Sequence, residues 1–588
     1  MGLRFAPAAL LAAALPALAA NEALVTAAER SKFRQTGRYP EVLQLCAAFE
    51  KAFPRDVRCV TFGRTPESRP MVALVVSRAG TLSAEEARRR KLPVVLIQGG
   101  IHAGEIDGKD AGFLALREML EGRAAKGALE KTVLVFVPVF NVDGHERFGK
   151  WNRPNQRGPE ETGWRTTAQN FNLNRDYVKS DSPEMQAMLR LVGEWDPIAC
   201  VDLHVTDGAK FQHDVAVMVE PVYAGDEALR RIGREFRDGV IDDLASGGSL
   251  PLAFYPSFVV ADDPASGFAD GVPPPRLSNG YFYLRNRMGM LVETHSWKDY
   301  ATRVRVTHNA FLSVMSRVAQ SGGAWVAAAA EADRRAASLA GNTVALRYKA
   351  TDASRTIPFR GYEYTRTLSP VSGALMTRYD EAKPQIWRVP LKDDVKPEVT
   401  TTLPKAGYVV PAAYATQVSE KLSLHGIAFR TIAASLLRAP AEAFRATKVT
   451  FSATSTEGHH TAKFEGRWAP EPREIAAGSL FVPSAQAKAR LVAALLEPQA
   501  PDSLAQWGWF NTAFEKKEYM EEYVAEEVAR QMLAADPALA AEFKRKVEGD
   551  AEFAKDKAQR LEFFYRRHSS WDERYNLYPV LRVDTEPR

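Results

Sequence analysis

The sequence predicts an α/β sheet, at least partly parallel, followed by a β-rich region and then a helical one. Three observations carry this. Short, continuous Val/Leu/Ile-rich runs recur through the first half of the chain, as in strands buried on both faces. Helical stretches separate them, the alternation that builds parallel sheets. Beyond Gly341 the texture changes to short alternating segments and later to charged helical sequence.

In chain order, residues 24–53 read as helical, with Tyr39-Pro40 opening the second helix. The apolar runs 58–62, 71–77, 93–98, 132–140, 198–204 and 289–294 read as strands. Helices are expected over 108–120, 183–194, 226–244, 304–320 and 324–339. The Gly/Pro-rich stretch 262–280 reads as a long loop, a candidate lid. Segments 343–348, 385–389 and 448–453 alternate like strands. The charged C-terminal stretch places Met520, Val524, Val528 and Met532 on one helical face.

The composition excludes several classes. The chain has 588 residues, 77 Lys+Arg against 72 Asp+Glu, 46% hydrophobic and 25% charged residues. This is the profile of a folded, multidomain protein rather than a disordered chain. A net charge of +5 without a basic run argues against nucleic-acid partners. No internal apolar stretch reaches the ~20 residues of a membrane span. Residues 1–20 form an export signal: Arg4 precedes an Ala/Leu run, and Ala17-Leu18-Ala19 fits the small-x-small cleavage rule. The protein is therefore expected in the periplasm or outside the cell. There Cys46 and Cys59 are spaced to pair, or else all three cysteines, with Cys200, are buried thiols. His459-His460, between Gly458 and Thr461, reads as loop surface.

Chemistry concentrates at three strand ends. His102 and Glu105, in Gly100-Ile101-His102-Ala103-Gly104-Glu105, follow the run 93–98 and precede a helix. His204 ends the run 198–204. Ligands of open α/β sheets gather outside the carboxyl ends of strands. Two imidazoles and a carboxylate there suit one zinc ion, with a fourth position open to water. Asn174-Arg175 offers an amide beside a guanidinium, a bidentate anchor for a substrate carboxylate. Glu293, at the end of 289–294, is placed to act as a base toward the zinc-bound water.

In this order, His102-x-x-Glu105, Asn174-Arg175, His204 and Glu293 resemble the zinc carboxypeptidase family typified by carboxypeptidase A. The resemblance covers roughly residues 35–320. It implies a mixed, mostly parallel eight-stranded sheet flanked by helices, zinc on His102, Glu105 and His204, a terminal carboxylate held by Asn174 and Arg175, and Glu293 as general acid and base. It also implies an oxyanion-stabilising arginine, for which Arg153 leads and Lys150 and Arg165 follow, and a substrate-capping tyrosine, Tyr281 or Tyr283. Asn141-Val142-Asp143-Gly144 resembles the family's Asn-Pro-Asp-Gly turn, and Asn172 stands where the family commonly has an aspartate supporting the first histidine. His145, His213 and His295 are expected to be supporting or packing residues. The implied organisation is a signal (1–20), a catalytic domain (21–342), a β-rich accessory region (343–510) and a charged helical region (511–588). The expected activity is hydrolysis of an amide next to a free C-terminal carboxylate. The alternatives are a zinc deacylase or amidase acting on N-acyl amino acids or cell-wall peptides, and an inactive binding module.

Overall fold

The computed structural model describes residues 22–587, so the expected export signal at 1–20 lies outside the described residues. The runs read as strands condense into one eight-stranded mixed sheet flanked by helices. Its strands are β1 (Val57–Arg64), β2 (Pro70–Val76), β3 (Val94–Gly99), β4 (Val133–Val137), β5 (Ala199–Thr206), β6 (Val215–Glu220), β7 (Pro251–Leu252) and, after a two-residue β8 (Phe268–Ala269) that joins another sheet, β9 (Met288–His295). Their spatial order is β1-β2-β4-β3-β5-β9-β6-β7. The central strands β4, β3, β5 and β9 run parallel, so the carboxyl ends of β3, β5 and β9 lie side by side at one edge. β2, β3, β4, β5 and β9 are buried almost throughout, which is why each reads as an unbroken apolar run. β6, absent from the sequence reading, packs antiparallel on β9.

Helices Asp107–Leu120 and Glu227–Ser246 both pack against Tyr300–Ala337. That last helix is a single 38-residue element where the sequence suggested two. Gly322, between the two expected helices, lets the single helix approach Pro93, whose Cβ would lie 2.7 Å from an added side-chain carbon. Helix Tyr39–Ala52 is tied to β1 by a Cys46–Cys59 disulfide, and Cys200 is a buried free thiol. No helix of the described residues is long and apolar enough to cross a membrane.

The later chain is β-rich and then helical. A long hairpin, β11 (Arg355–Leu368) and β12 (Leu375–Lys392), follows β10 (Thr343–Ala350). The base of β12 pairs with β8, so the stretch expected to be a free lid is pinned at its middle. Phe211, Phe254, Phe268, Phe359 and Trp387 fill the junction. A six-stranded sheet with Gly407–Val410 at its centre follows, and four C-terminal helices close on Ala529, Leu539, Phe553, Phe563 and Phe564. In the first of these helices the buried face is Ala525 and Ala529 with half-buried Met532; Val524 is exposed, so the apolar stripe is displaced from the one expected.

Candidate metal and peptidase site

The carboxyl ends of β3 and β5 bring His102, Glu105 and His204 together. All three are buried, and one ligating atom from each lies within 4.8 Å of the others. His102 Nδ1 stands 3.0 Å from Glu105 Oε1, and His204 Nδ1 stands 2.9 Å from Glu105 Oε2. Both imidazoles thus turn the same nitrogen inward. Their outer nitrogens are held from behind: His102 Nε2 lies 3.0 Å from Asn172 Oδ1, and His204 Nε2 lies 2.7 Å from Asp202 Oδ2. Inward Nδ1 atoms, a carboxylate between them and outer nitrogens anchored to oxygen acceptors are a donor set that could hold a metal ion such as zinc, with supporting partners behind it.

The electrostatics separate the two histidines. Burial lowers the His102 imidazole to about 4, against the opposing pull of Glu105. Burial acts in the same direction on His204, but Asp202, Glu105 and Glu293 outweigh it and hold that ring well above its ordinary value. Glu105 stays well below the usual carboxylate range: burial would raise it, but His102 and Arg153 prevail. Gly104 allows this crowding, because a Cβ there would meet Arg153 Cγ at 2.5 Å.

Glu293 is paired across the sheet with His204, one strand over. Its carboxylate is buried, its Oε2 has no hydrogen-bond partner among the described residues, and burial together with Glu105, Asp202 and Asp207 raises it to about 8 against the attraction of His204. It lines a cavity of about 410 Å³ shared with His102, Arg165, Asn174, Arg175 and Tyr255. The antiparallel register sets Ala216 opposite Glu293, Met218 opposite Leu291 and Glu220 opposite Gly289. The cavity therefore runs down one face of β9 and β6, from Glu293 to a charged far end of Glu220, Arg237 and Asp270. At that end Asp270 Oδ2 accepts from the Tyr223 hydroxyl at 2.8 Å. Buried Glu220, raised to about 7, accepts backbone N–H bonds from Val222, Tyr223 and Ala224 through one oxygen.

Asn174 and Arg175 front the cavity, Asn174 with its Oδ1 accepting from Ser278 N at 2.9 Å. Half-buried Arg175 donates to the Asn174 carbonyl; burial, Arg165 and Arg276 lower its pKa, and Glu457 and Asp502 oppose them. Arg153 reaches Glu105 Oε1 at 3.0 Å and Asp207 Oδ1 at 3.2 Å, behind the cavity wall. Arg165 reaches the same Glu105 oxygen at 3.3 Å and lines the cavity itself, whereas Lys150 is exposed.

The tyrosine expected to cap a substrate is displaced. Tyr281 is fully buried, with its hydroxyl between His425 Nδ1 (2.8 Å) and Arg285 Nη1 (3.0 Å), so it does not face the cavity. Tyr283 is buried too. Tyr255, overlooked in the sequence, is the tyrosine that lines the cavity beside Glu293, with its hydroxyl 3.3 Å from Thr206 Oγ1. Its one signal was its place in a loop following the unrecognised β6 and β7. The remaining histidines stay outside the cluster. His145 bonds Gly37 O, His213 bonds Leu250 O, and His295 stacks on Phe211 at 4.0 Å. His459, expected on a free loop surface, instead pairs with Asp181 Oδ2 at 2.7 Å and stands against Trp507 and Trp509.

Residues 42–212 match the zinc carboxypeptidase family model. Carboxypeptidase 2 of Trichophyton rubrum is 23% identical over 462 residues, covering 76% of this chain and 79% of the relative; the Trichophyton tonsurans protein gives the same figures. Among solved structures, carboxypeptidase A from Helicoverpa armigera aligns at 17% identity and a TM-score of 0.35, covering 54% of this chain and 82% of its own. The family-model match spans His102, Glu105 and His204 at the strand ends and Asn174 and Arg175 in the turn beside them. Over residues 42–212 the chain thus carries a segment that matches the zinc carboxypeptidases.

Proposed function

We propose that this chain is an exported carboxypeptidase that removes residues from the free C-terminus of a peptide, with one zinc ion held by His102, Glu105 and His204. The observation that carries the reading is the convergence of two inward Nδ1 atoms on one carboxylate beside a cavity that also holds Glu293, Asn174 and Arg175. The disulfide and the Ala/Leu-rich N-terminus support an oxidising compartment outside the cytoplasm.

Zinc bound there supplies Lewis acidity toward the scissile carbonyl and lowers the pKa of water to ~7. The chain's own residues do the rest. Arg175 and Asn174 hold the terminal carboxylate, which places the last amide bond beside Glu293. The buried, unpartnered Glu293 oxygen takes the proton of the attacking water and returns it to the departing nitrogen. Arg165, facing the cavity, and Arg153, behind Glu105, supply positive charge for the developing oxyanion. Tyr255 closes the rim, and the terminal side chain occupies the cavity that runs along β9 and β6.

The test combines zinc content with product analysis on matched peptides with free and amidated C-termini. Stepwise release of single amino acids from free termini only is the expected result. Equal internal cleavage of both peptides would overturn it, and release of an acyl group from N-acyl amino acids in place of peptide trimming would make the enzyme a deacylase.

A further inference from the structure

We propose that the C-terminal region completes the active site, and that Glu457 is a positioning residue for the turn Asn172–Arg175; this rests on the functional reading above. The stretch from Asn170 to Ser182, which carries the carboxylate anchor, contains a single 3-10 turn, Leu173–Arg175. Non-glycine residues at φ 66° (Asn170) and φ 48° (Ser180) interrupt it. The Asp176 carboxylate and short turns satisfy part of its backbone, Asp176 accepting from Asp181 N and Ser182 N at 2.9 Å, and several remaining groups must find partners elsewhere. The partners come from the far end of the chain. Asn172 N–H donates to Glu457 Oε2 at 2.9 Å. The carbonyl of Val178 lies 2.9 Å from His425 Nε2, and Lys421 Nζ donates to the carbonyls of Lys179 (2.6 Å) and Ser180 (3.0 Å). His459 closes the clamp on Asp181.

Glu457 is the member of this clamp that touches the site. Asn172 carries out two tasks through one oxygen: it holds His102 Nε2 at 3.0 Å and accepts from Asn174 N at 3.0 Å. A carboxylate gripping the Asn172 backbone therefore sets the direction of the first histidine and of the anchor amide together. The turn that delivers Glu457 is itself strained. Glu457 has φ 50° and Gly458 φ 81°, and backbone bonds between Thr456 and His459 close the loop at 2.8 and 2.9 Å. A two-residue loop with both central residues at positive φ normally takes Asn-Gly or Gly-Gly, and glutamate is disfavoured there. Strain of this kind persists where the side chain has a task that the surrounding structure enforces.

The experiment uses the full chain and compares Glu457→Ala and Glu457→Gln with His460→Ala, an exposed change in the same loop. Zinc Kd is read by chelator competition, kcat and KM on a peptide with a free C-terminus, and Tm on the metal-free protein. Because Glu457 reaches His102 only through the neutral Asn172 amide, Glu457→Ala is expected to raise the zinc Kd by roughly three- to tenfold and to lower kcat/KM by at least as much. Glu457→Gln, which keeps an acceptor but no charge, should fall between it and the wild type, and His460→Ala should match the wild type. The proposal fails if Glu457→Ala stays within about threefold of the wild type in zinc Kd, if only Tm moves, or if His460→Ala changes as much. Should the alanine variant not fold, the glutamine variant decides on the same criteria. A wild-type chain that binds no zinc would instead overturn the functional reading, and this proposal with it.

Discussion

The two histidines proposed to hold the metal are supported unequally, and the inequality can be measured. His204 Nε2 meets a carboxylate, Asp202 Oδ2, at 2.7 Å, and both groups are buried. His102 Nε2 meets a neutral amide, Asn172 Oδ1, at 3.0 Å. A hydrogen bond to a charged group contributes about 1.5–3 kcal/mol and a neutral one about 0.5–1.5 kcal/mol. At about 1.4 kcal/mol per tenfold, the charged bond as a whole is worth roughly ten- to a hundredfold, and Asp202→Asn, which leaves a neutral bond in its place, should weaken zinc binding by about tenfold. Removing the neutral partner in Asn172→Ala should cost about two- to tenfold. The same substitution at Asp202 also takes away the principal charge that holds the His204 ring above its ordinary value. Competition of each purified variant against a chelator of known affinity gives the zinc Kd, and circular dichroism confirms that the fold is kept. Equal losses at the two positions, or a zinc Kd for Asp202→Asn within about threefold of the wild type, would refute the argument that the outer partners set this site's affinity.

Glu293→Gln keeps the shape of the cavity and removes the proton acceptor. It should retain zinc and near-normal KM while kcat falls at least about a hundredfold, read by steady-state kinetics. Arg175→Ala should erase most of the preference for a free over an amidated terminus, with at least about a tenfold loss in kcat/KM on the free peptide alone. The buried Asp181 carboxyl would be raised by burial, but His459, Lys179 and Lys421 hold it well below its ordinary value. A depressed carboxylate stabilises the fold above its unfolded pKa and loses that contribution as pH falls through the folded one. The stability gap between wild type and Asp181→Asn, measured by chemical denaturation, should therefore be widest near neutrality and narrow steadily below pH ~4.

What could be read from the sequence follows from physical range. β3, β5 and β9 are buried on both faces, so their burial is written locally as apolar runs, and the residues that close them announce the site. His102 and Glu105 lie three residues apart, and the register that brings His204 beside Glu293 follows from parallel neighbours. β6 is as apolar as the others, but His213 and Asp214 before it and Pro221 after it disguise a strand as a loop. Missing β6 hid the cavity floor, and with it Tyr255. Tyr281 carries no local mark of its burial, because the group that buries its hydroxyl, His425, is 144 residues away. Arg165 and Arg153 are indistinguishable in the sequence; only folding shows that one fronts the cavity and the other stands behind Glu105.

The pairing of β8 with the base of β12 governs how the enzyme can be dissected. Leu391 and Lys392 are bonded alongside Phe268 and Ala269, and Asp270 N donates to the Lys392 carbonyl at 2.8 Å. The next residues, Asp270 to Pro273, form one side of the substrate cavity. A protein truncated after residue 342 would keep every proposed zinc ligand, the anchor pair and Glu293, yet its cavity would lose the strand that braces this wall. Such a fragment also lacks Glu457, so metal loading and peptide trimming should both weaken in it, and a catalytic core meant for crystallisation or engineering has to carry the hairpin and the Glu457 loop with it.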